Sequence, residues 1–389
     1  RLLYVQVLCR GTGKQTDLWL LIAQQELQKI MMTTCIEHPK DPVCQQELEH
    51  IAACGLDWNA FSHKTILVTG ATGLVGSYAV RALAAINRIH NCRMTILSMV
   101  RSADKAKKIY GSLLERGDVA LVIGDVRDPI VYDGAVDYII HGASVTASKE
   151  MVTRPVETIA TAIGGTEQIL KFAVTKQVTS MVYISSMEMY GTPDPALPCV
   201  TESDYGRVDV LQVRSCYPEG KRMCECLCAA YAHEYQLPVK IARLAQTFGA
   251  GVSTSEGRVF AQFARSLMKG EDIVLHTEGK SYGNYCATCD CVRGLLTILL
   301  RGVNGEAYNV ANEKTNIRIR DMAQMIADQS GGKIQVRFDI PKDALQYGYA
   351  PDVKMRLSGD KLRGLGWEPE LDLPQMYQRL IASWQAQEA

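Results

Sequence analysis

The sequence predicts an α/β protein with a doubly wound parallel sheet, a helical extension before the sheet and a smaller lobe after it. Three observations predict this class. Short β-branched and aliphatic runs alternate with helical patterns from Lys64 onward. A glycine-rich turn separates the first such run from the first helix of the alternating part. The 389 residues, 47% hydrophobic and 22% charged, are typical of a soluble protein with room for two lobes.

The elements follow in order along the chain. Residues 1–62 precede the sheet and predict two helices, at 18–30 and 43–53, that pack on the body or on a second subunit. Strands are predicted at 65–69, 94–100, 119–123, 136–141, 180–185 and 239–244. Long crossover helices are predicted at 158–175 and 218–235.

This pattern predicts two folded parts after the extension. The regular alternation assigns residues 63–248 to a dinucleotide-binding domain, to which residues 282–312 return. The irregular, turn-rich pattern assigns residues 249–281 and 313–389 to a lobe that selects the substrate.

Charge and cysteine content exclude several classes of partner. Lys and Arg number 42, as do Asp and Glu, so no net charge attracts nucleic acid or an anionic membrane. The apolar run at 18–23 is too short to span a bilayer. Thirteen cysteines, an odd number in apolar surroundings, indicate reduced thiols and a cytoplasmic protein, and their spacing predicts no metal site.

The stretch KTILVTGATGLVG, residues 64–76, predicts a cofactor site. A strand ends at Gly70, and two more glycines follow at three-residue intervals before an apolar helix. Glycines let the backbone approach a pyrophosphate, and a helix N-terminus offers free N–H groups and partial positive charge. We therefore expect a Rossmann-type domain whose cofactor is held at Gly70, Thr72, Gly73, Leu74, Val75 and Gly76.

The ends of the next two strands predict which dinucleotide is bound. Arg101 follows the second strand, where an acidic residue would accept a hydrogen bond from the ribose 2′-hydroxyl. A guanidinium there favours a 2′-phosphate, so the sequence favours NADP over NAD. Asp125 follows the third strand and is predicted to meet the adenine amino group.

Tyr217 and Lys221 form the predicted catalytic pair. They stand four residues apart at the start of a helix and so face the same side. A neutral tyrosine is a poor base, and a neighbouring ammonium is expected to lower its pKa and to hold the nicotinamide ribose. Ser186, at the end of the fifth strand, is predicted to orient a substrate hydroxyl for proton transfer.

At these residues the chain resembles the extended short-chain dehydrogenase/reductase superfamily, in its branch of NAD-dependent nucleotide-sugar epimerases, dehydratases and decarboxylases. The resemblance runs from about residue 64 to 383. The motifs are GATGLVG, GDVRD, HGAS, YISSMEMYG, YPEGK, ARLAQTFGAG, EAYNVAN and LRGLGWEP. It implies a nucleotide-diphosphate sugar oxidised at C4, and a homodimer formed by a helix pair beside the sheet. It also implies cofactor contacts at Val126, Gly142, Ala143 and Ser144.

Departures from the family pattern bear on the substrate. Met187 stands where 4,6-dehydratases have Asp, which disfavours dehydration because methionine cannot protonate a leaving hydroxyl. Glu188 remains, as in decarboxylases of nucleotide-linked glucuronic acid, and is a further catalytic candidate. Gly283 replaces a common diphosphate-binding Arg and Gln246 a common Asn. The diphosphate would then bind Arg258, Arg265 or Arg243, and we expect substrate contacts at Ser186, Met187, Gln246 and Arg258.

These features predict an NAD(P)-dependent nucleotide-sugar epimerase type of oxidoreductase, with a 4-keto intermediate and 4-epimerisation as the first hypothesis. A decarboxylase of nucleotide-linked glucuronic acid and an NADP-dependent ketosugar reductase are the alternatives within the same chemistry. A catalytically silent dinucleotide-binding scaffold is the alternative from another class. Cofactor retained through purification favours an epimerase, and stoichiometric oxidation of added NADPH favours a reductase.

Overall fold

The computed structural model describes residues 35–340 and 354–388, and its largest element is a seven-stranded parallel sheet. The strands are β1 Thr65–Thr69, β2 Thr95–Val100, β3 Val119–Ile123, β4 Tyr138–His141, β5 Ser180–Ser186, β6 Val239–Leu244, β7 Gln246–Phe248, β8 Ile273–Leu275, β9 Tyr282–Ala287, β10 Ala307–Val310, β11 Asn312–Arg318 and β12 Val336–Phe338. The large sheet has the order β10-β6-β5-β4-β1-β2-β3. The six predicted strands are all present, and the strand order reverses between β1 and β4, where doubly wound proteins bind ligands.

Helices cover both faces of this sheet. They are α1 Pro42–Ala53, α2 Leu74–His90, α3 Ala103–Tyr110, α4 Ser148–Thr153, α5 Pro155–Lys176, α6 Cys216–Glu234, α7 Val259–Lys269, α8 Thr288–Arg301, α9 Ile319–Asp328, α10 Asp360–Arg363 and α11 Leu373–Glu388. Ile66 and Val68 of β1 belong to the core shared with α2 and α8, whereas Leu67 belongs to the core shared with α5 and α6. Two buried faces explain why the strands are apolar without alternation.

The fourth strand begins two residues later than predicted. Asp137 precedes it, and its carboxylate accepts hydrogen bonds from the Lys64 ammonium and the Thr65 N–H, both at 2.9 Å. This polar residue therefore joins the ends of two strands instead of extending β4. The fold class is confirmed as a Rossmann-type α/β sheet with flanking helices.

The described part of the extension packs on the body of the protein. The predicted helix at 18–30 lies outside the described residues. The second predicted helix is α1, and the Asp41 side chain caps its start by accepting a hydrogen bond from the Cys44 N–H at 2.9 Å. Leu48 and Ile51 are fully buried, and α1 packs against α2, α8 and α11.

A buried ion-pair cluster also holds the extension to the sheet domain. Glu37 is fully buried and accepts two hydrogen bonds of 2.9 Å from Arg88 and one of 2.5 Å from Arg116. Arg116 is itself fully buried and also pairs with Asp118 at 2.7 Å. Burial alone would raise the pKa of Glu37, but hydrogen bonds from Arg88 and Gln45 and the charge of Arg116 hold that pKa below its ordinary value.

The smaller sheets lie after β6 in the chain. One contains β11, β9 and β7, and the other pairs β12 with β8. The C-terminal helix α11 returns to α1 and α7, and its Trp384 indole N–H donates to the Val252 carbonyl at 2.8 Å. In the described ranges no helix has the length and apolar character needed to span a membrane.

Candidate active site

The glycine-rich turn lies where β1 and β4 end side by side. Gly70 has a φ of +67°, and a Cβ on it would lie 2.7 Å from the carbonyl carbon and oxygen of Gly142. A Cβ on Gly76 would overlap the Gly70 carbonyl oxygen. Glycine is thus required at 70 and 76 for the loops after β1 and β4 to touch, which accounts for this part of the motif physically.

The residues around this turn fit a dinucleotide. Gly73 is the N-cap of α2, so the N–H groups of Leu74 and Val75 lie in a helical turn that leaves its donors without intrahelical partners. The Ser144 hydroxyl, just beyond β4, is buried and has no hydrogen-bond partner in the part of the chain that the structure describes. Of the remaining predicted contacts, Thr72 and Ala143 are half-buried in the two loops, and Val126 is buried after β3.

The predicted adenosine end of the site contains opposite charges. Arg101 is exposed at the end of β2, and Asp125 follows β3. Two hydrogen bonds of 2.9 Å join the Asp125 carboxylate to the Arg127 guanidinium. These bonds lower the pKa of Asp125 to about 2, with a smaller contribution from the charge of Arg101, which therefore lies within electrostatic reach. Arg127, which the sequence analysis missed, holds the carboxylate predicted to meet adenine.

The structure brings Ser186, Tyr217 and Lys221 together. Tyr217 and Lys221 lie in the first turns of α6, opposite the end of β5, and the Ser186 side chain is close enough to Tyr217 to oppose the rise in its pKa. The Lys221 ammonium donates to the Ile184 carbonyl at 2.8 Å, and its nitrogen lies 5.8 Å from the centre of the Tyr217 ring. This arrangement can align a hydroxyl against the phenol oxygen.

The pKa of Tyr217 differs from the sequence-based expectation that a neighbouring ammonium lowers it. Burial raises the pKa of Tyr217 to about 12, helped by the charge of Glu188, while the Ser186 hydrogen bond and the charges of Arg214 and Arg258 oppose this rise. Burial likewise lowers the pKa of Lys221 to about 8. The expectation that the pKa of Tyr217 lies below its ordinary value is therefore wrong for the protein alone, because the loss of water around the phenol outweighs the Ser186 side chain and the arginine charges that favour its ionised form.

Arg214 and Glu188 form an ion pair beside the tyrosine. The Nη2 of Arg214 lies 2.8 Å from the Oε2 of Glu188, and the guanidinium carbon lies 5.6 Å from the centre of the Tyr217 ring. The Nη1 of Arg214 is buried and has no hydrogen-bond partner among residues 35–340 and 354–388. Sequence analysis identified Glu188 but missed Arg214, although its position three residues before Tyr217 places it near the same helical face.

Arg258 is the predicted substrate arginine that acts on the same site. It precedes α7, pairs with Glu256 at 2.8 Å and lies over the Phe260 ring. Its positive charge opposes the rise in the pKa of Tyr217. Of the other predicted contacts, Met187 follows Ser186 directly, and Gln246 of β7 pairs in register with Tyr285 of β9.

The other two arginines offered for a diphosphate are engaged elsewhere. Arg243 is fully buried, lies 2.7 Å from a Glu225 carboxylate oxygen and donates to the Tyr190 hydroxyl at 2.9 Å. Arg265 donates to the Thr254 carbonyl and lies over the Trp384 ring. Arg243 is removed from the candidates because its charge is neutralised inside the fold.

A group of potential metal ligands lies away from this site. Donor atoms of His38, Asp41 and Cys44 lie within 4.8 Å of one another beside α1. Both Asp41 oxygens are engaged, one by the Cys44 N–H and the other by the Cys44 thiol and the Ser383 hydroxyl. These bonds account for the group as a helix cap and its supports.

The buried Lys221 ammonium predicts a dependence of stability on pH. Its folded-state pKa of about 8 lies below its ordinary value of 10.5, so the unfolded chain binds the proton more tightly. The destabilisation is fully present below pH 8 and is relieved as the pH rises to 10.5, at about 1 kcal/mol per pH unit. We expect the stability of the wild type relative to Lys221→Met to increase between pH 8 and pH 10 in urea unfolding. A difference that stays constant or falls would contradict this.

Comparison with known proteins agrees with the fold and the turn. The NAD dependent epimerase/dehydratase family matches residues 66–311. UDP-glucuronic acid decarboxylase 6 of Arabidopsis thaliana is 30% identical over 315 residues, which cover 80% of this chain and 86% of that protein. UDP-glucuronic acid decarboxylase 1 of Danio rerio is 27% identical over 319 residues, 82% of this chain and 72% of that protein.

Solved structures share the fold at lower identity. The UDP-glucose 4-epimerase of Thermotoga maritima matches with a TM-score of 0.70 and 19% identity, covering 84% of this chain and all of that one. The UDP-glucuronic acid 4-epimerase of Bacillus cereus, solved with UDP-glucuronic acid and NAD, matches with a TM-score of 0.68 and 19% identity over 82% of this chain and 99% of that one. The family match spans more than half of the sequence, and its first strand is β1 of the sheet. This chain is therefore a member of the NAD-dependent epimerase/dehydratase family of enzymes.

Proposed function

We propose that this protein catalyses NAD-dependent oxidation of a nucleotide-linked sugar at C4, followed by conversion and re-reduction of the 4-keto sugar. One observation carries the proposal. Ser186 at the end of β5 acts on the Tyr217 phenol, and the Lys221 ammonium nitrogen lies 5.8 Å from the centre of the Tyr217 ring. The cofactor turn at Gly70 lies at the end of β1 in the same sheet. A sugar hydroxyl bound between these groups is placed for proton transfer.

The residues of the chain have separate roles in this reaction. NAD, when bound at the turn after β1, accepts a hydride from C4 and can return it. Ser186 aligns the C4 hydroxyl, and Tyr217 accepts its proton. Burial leaves the pKa of Tyr217 at about 12 although the charges of Arg214 and Arg258 already oppose this rise. An oxidised nicotinamide, when bound, would add positive charge that favours the ionised phenol.

Decarboxylation of a nucleotide-linked uronic acid is the proposed outcome. The spare buried N–H donor on Arg214 suits a sugar carboxylate, and Glu188 holds this guanidinium beside Tyr217. Once C4 is a ketone, the bond from C5 to the carboxylate breaks, carbon dioxide leaves, and the electron pair passes into the enolate of the ketone. A proton then adds at C5, and re-reduction of C4 leaves the cofactor as it began. The curated decarboxylases among the relatives support this outcome.

Epimerisation at C4 is the second candidate. Met187 provides no acid for loss of a hydroxyl, and Glu188 is already paired with Arg214, so the site also suits a reaction that only removes and returns a hydride. Mass spectrometry of sugar nucleotides incubated with the protein and NAD separates these reactions. Loss of carbon dioxide from UDP-glucuronic acid supports decarboxylation, whereas an isomer of unchanged mass, separated by chromatography, supports epimerisation. Stoichiometric NADPH oxidation would indicate a reductase. If no nucleotide sugar is turned over, the result would indicate a non-catalytic scaffold.

Cofactor choice is proposed from Arg101. Its exposed guanidinium at the end of β2 could meet a ribose 2′-phosphate, and we expect Arg101→Ala to weaken NADP binding more than NAD binding. The expected loss is about 1–3 kcal/mol, the scale of a charge-assisted hydrogen bond. Calorimetric titration with both cofactors measures it, and Lys105→Ala on α3 is the control for general charge. Equal losses for NAD and NADP would remove Arg101 from the site.

A homodimer is the proposed assembly. Val156 and Ile159 of α5 and Met223 of α6 are large apolar side chains at the surface, exposed by 79%, 41% and 49%. These two helices pack on each other beside the sheet and offer a face that a second copy can cover. Sedimentation equilibrium measures the mass, and a monomer at micromolar concentration would contradict the proposal.

A cytoplasmic location is proposed from the thirteen cysteines, of which those in the described residues are free thiols.

A further inference from the structure

A continuous row of buried polar side chains runs between the strands and helices that carry the candidate active site. The Thr69 Oγ1 lies 2.7 Å from the His141 Nδ1, and the His141 Nε2 lies 3.2 Å from the Thr166 Oγ1. The Thr166 hydroxyl lies 3.3 Å from the Cys224 sulfur. These residues belong to β1, β4, α5 and α6, so the row crosses from the cofactor turn to the helix that carries Lys221.

The donors around Thr69 determine which ring nitrogen of His141 carries a proton. The Thr69 Oγ1 accepts hydrogen bonds from the backbone N–H groups of Gly142 and Ala143, both at 3.2 Å. A hydroxyl has two acceptor positions and one hydrogen. Both acceptor positions are filled by groups that can only donate, so the hydroxyl hydrogen is directed to the His141 Nδ1. That nitrogen must be unprotonated.

On the Nε2 side of the His141 ring, the hydrogen bonds donate in the same direction along the row. A neutral imidazole with a bare Nδ1 carries its hydrogen on Nε2, which donates to the Thr166 hydroxyl. The Thr166 hydroxyl then donates to the Cys224 sulfur, and the Cys224 thiol donates to the Ala162 carbonyl at 3.2 Å. Every bond from Gly142 to Ala162 thus runs one way, and each hydroxyl and thiol hydrogen is used.

A protonated ring is incompatible with this site. Burial, together with the charge of Lys221, lowers the pKa of His141 to about 3. The ring is fully buried, and no carboxylate contributes to its pKa. The geometry and the charges therefore agree on one neutral form.

We propose that His141 is a positioning residue whose neutral Nε2–H form sets the direction of a hydrogen-bond chain joining the cofactor loop to the catalytic helix. At one end the chain orients the N–H groups of Gly142 and Ala143, in the loop that contacts Gly70. At the other end it fixes Cys224, three residues after Lys221 on α6. The function of the loop rests on the proposed cofactor site, but the form of His141 can be measured without cofactor.

Nuclear magnetic resonance of the full chain tests this form directly. With ¹⁵N-labelled histidine, we expect one ring to show a bare Nδ1 and a protonated Nε2 that do not change between pH 5 and pH 9. These signals should be missing from the spectrum of His141→Gln. A protonated Nδ1, or a ring that titrates in this range, would overturn the proposal whatever reaction the enzyme catalyses.

Paired substitutions test the positioning role. Asn can place an acceptor near the Nδ1 position, whereas Gln can place a donor near the Nε2 position. We expect His141→Gln to weaken NAD binding about tenfold, the effect of one lost hydrogen bond, with hydride transfer at saturating NAD within about threefold of wild type. We expect His141→Asn and Thr166→Val to slow hydride transfer about tenfold, with NAD binding within about threefold of wild type.

Thr175→Val on α5 is the matched control, because its exposed hydroxyl bonds only the Lys171 carbonyl of its own helix. It should change neither NAD binding nor hydride transfer. Equal losses of binding and rate in His141→Gln and His141→Asn would show a general loss of structure and would overturn the positioning role. If neither variant folds, the resonances of the wild-type chain still decide the proposal.

Discussion

Tyr217→Phe is expected to slow single-turnover reduction of bound NAD by at least about 100-fold, because the variant lacks the group that we propose accepts the sugar proton. General acid–base residues typically contribute about 10²–10⁴-fold. The ring volume is retained, so the buried cluster of Tyr217 with Met151 and Cys216 should persist. Stopped-flow absorbance of the reduced cofactor measures the rate, and a thermal melting curve measures the fold.

Tyr231→Phe is the matched control for this change. Tyr231 lies on the same helix, where it contacts Tyr235 instead of the site, and its loss should leave the rate unchanged. Ser186→Ala should have a smaller effect than Tyr217→Phe, since Ser186 aligns the hydroxyl and does not take its proton. A folded Tyr217→Phe protein that transfers hydride within about tenfold of wild type would show that another group is the base.

Glu188→Gln is expected to separate the proposed reaction from its alternative. Removing this carboxylate frees Arg214 and also removes a charge that raises the pKa of Tyr217. For a decarboxylase, we expect reduced cofactor to accumulate while carbon dioxide release falls by about 10²-fold or more. For a 4-epimerase, turnover should change little, and the limb of its pH profile on which activity rises with pH should move to lower pH, because the pKa of the base Tyr217 falls.

Glu219→Gln provides the control for loss of charge near the same helix start. Glu219 pairs with Arg222 at 3.2 Å and has no contact with Tyr217 among the described interactions. It should leave both cofactor reduction and carbon dioxide release at wild-type rates. If Glu188→Gln releases carbon dioxide as fast as wild type, the carboxylate has no part in decarboxylation.

The sheet could be predicted because its information is local. Each strand is a short apolar run, and the glycine at 76 is required by a contact with Gly70 inside the same turn, whereas the close contact of Gly70 with Gly142 comes from the fold. The spacing of Tyr217 and Lys221 gives a shared helical face, and the end of β5 places Ser186 opposite. The order of the strands then follows from the family pattern of alternating elements.

Features that depend on distant partners could not be predicted in the same way. Burial of Tyr217 raises its pKa although Lys221 is near, and burial is set by the whole fold. The sequence does not show that the charge of Arg243 is paired, but in the fold β6 places this side chain against Glu225 and Tyr190. Arg127 bonds Asp125 only two residues away, but the sequence does not show whether that carboxylate faces its neighbour or a ligand.

The ion pairs of Glu37 show that the folded body of this protein begins before the region that matches the family. The family match begins at residue 66, yet Arg116 inside that match depends on a carboxylate at residue 37. A protein shortened to the family boundary would lose the bonds from Glu37 to Arg88 and Arg116, and Arg116 would keep only its ion pair with Asp118 among those described. Expression designs, domain swaps and homologue alignments for this protein should therefore treat residues 35–62 as part of the dinucleotide-binding body.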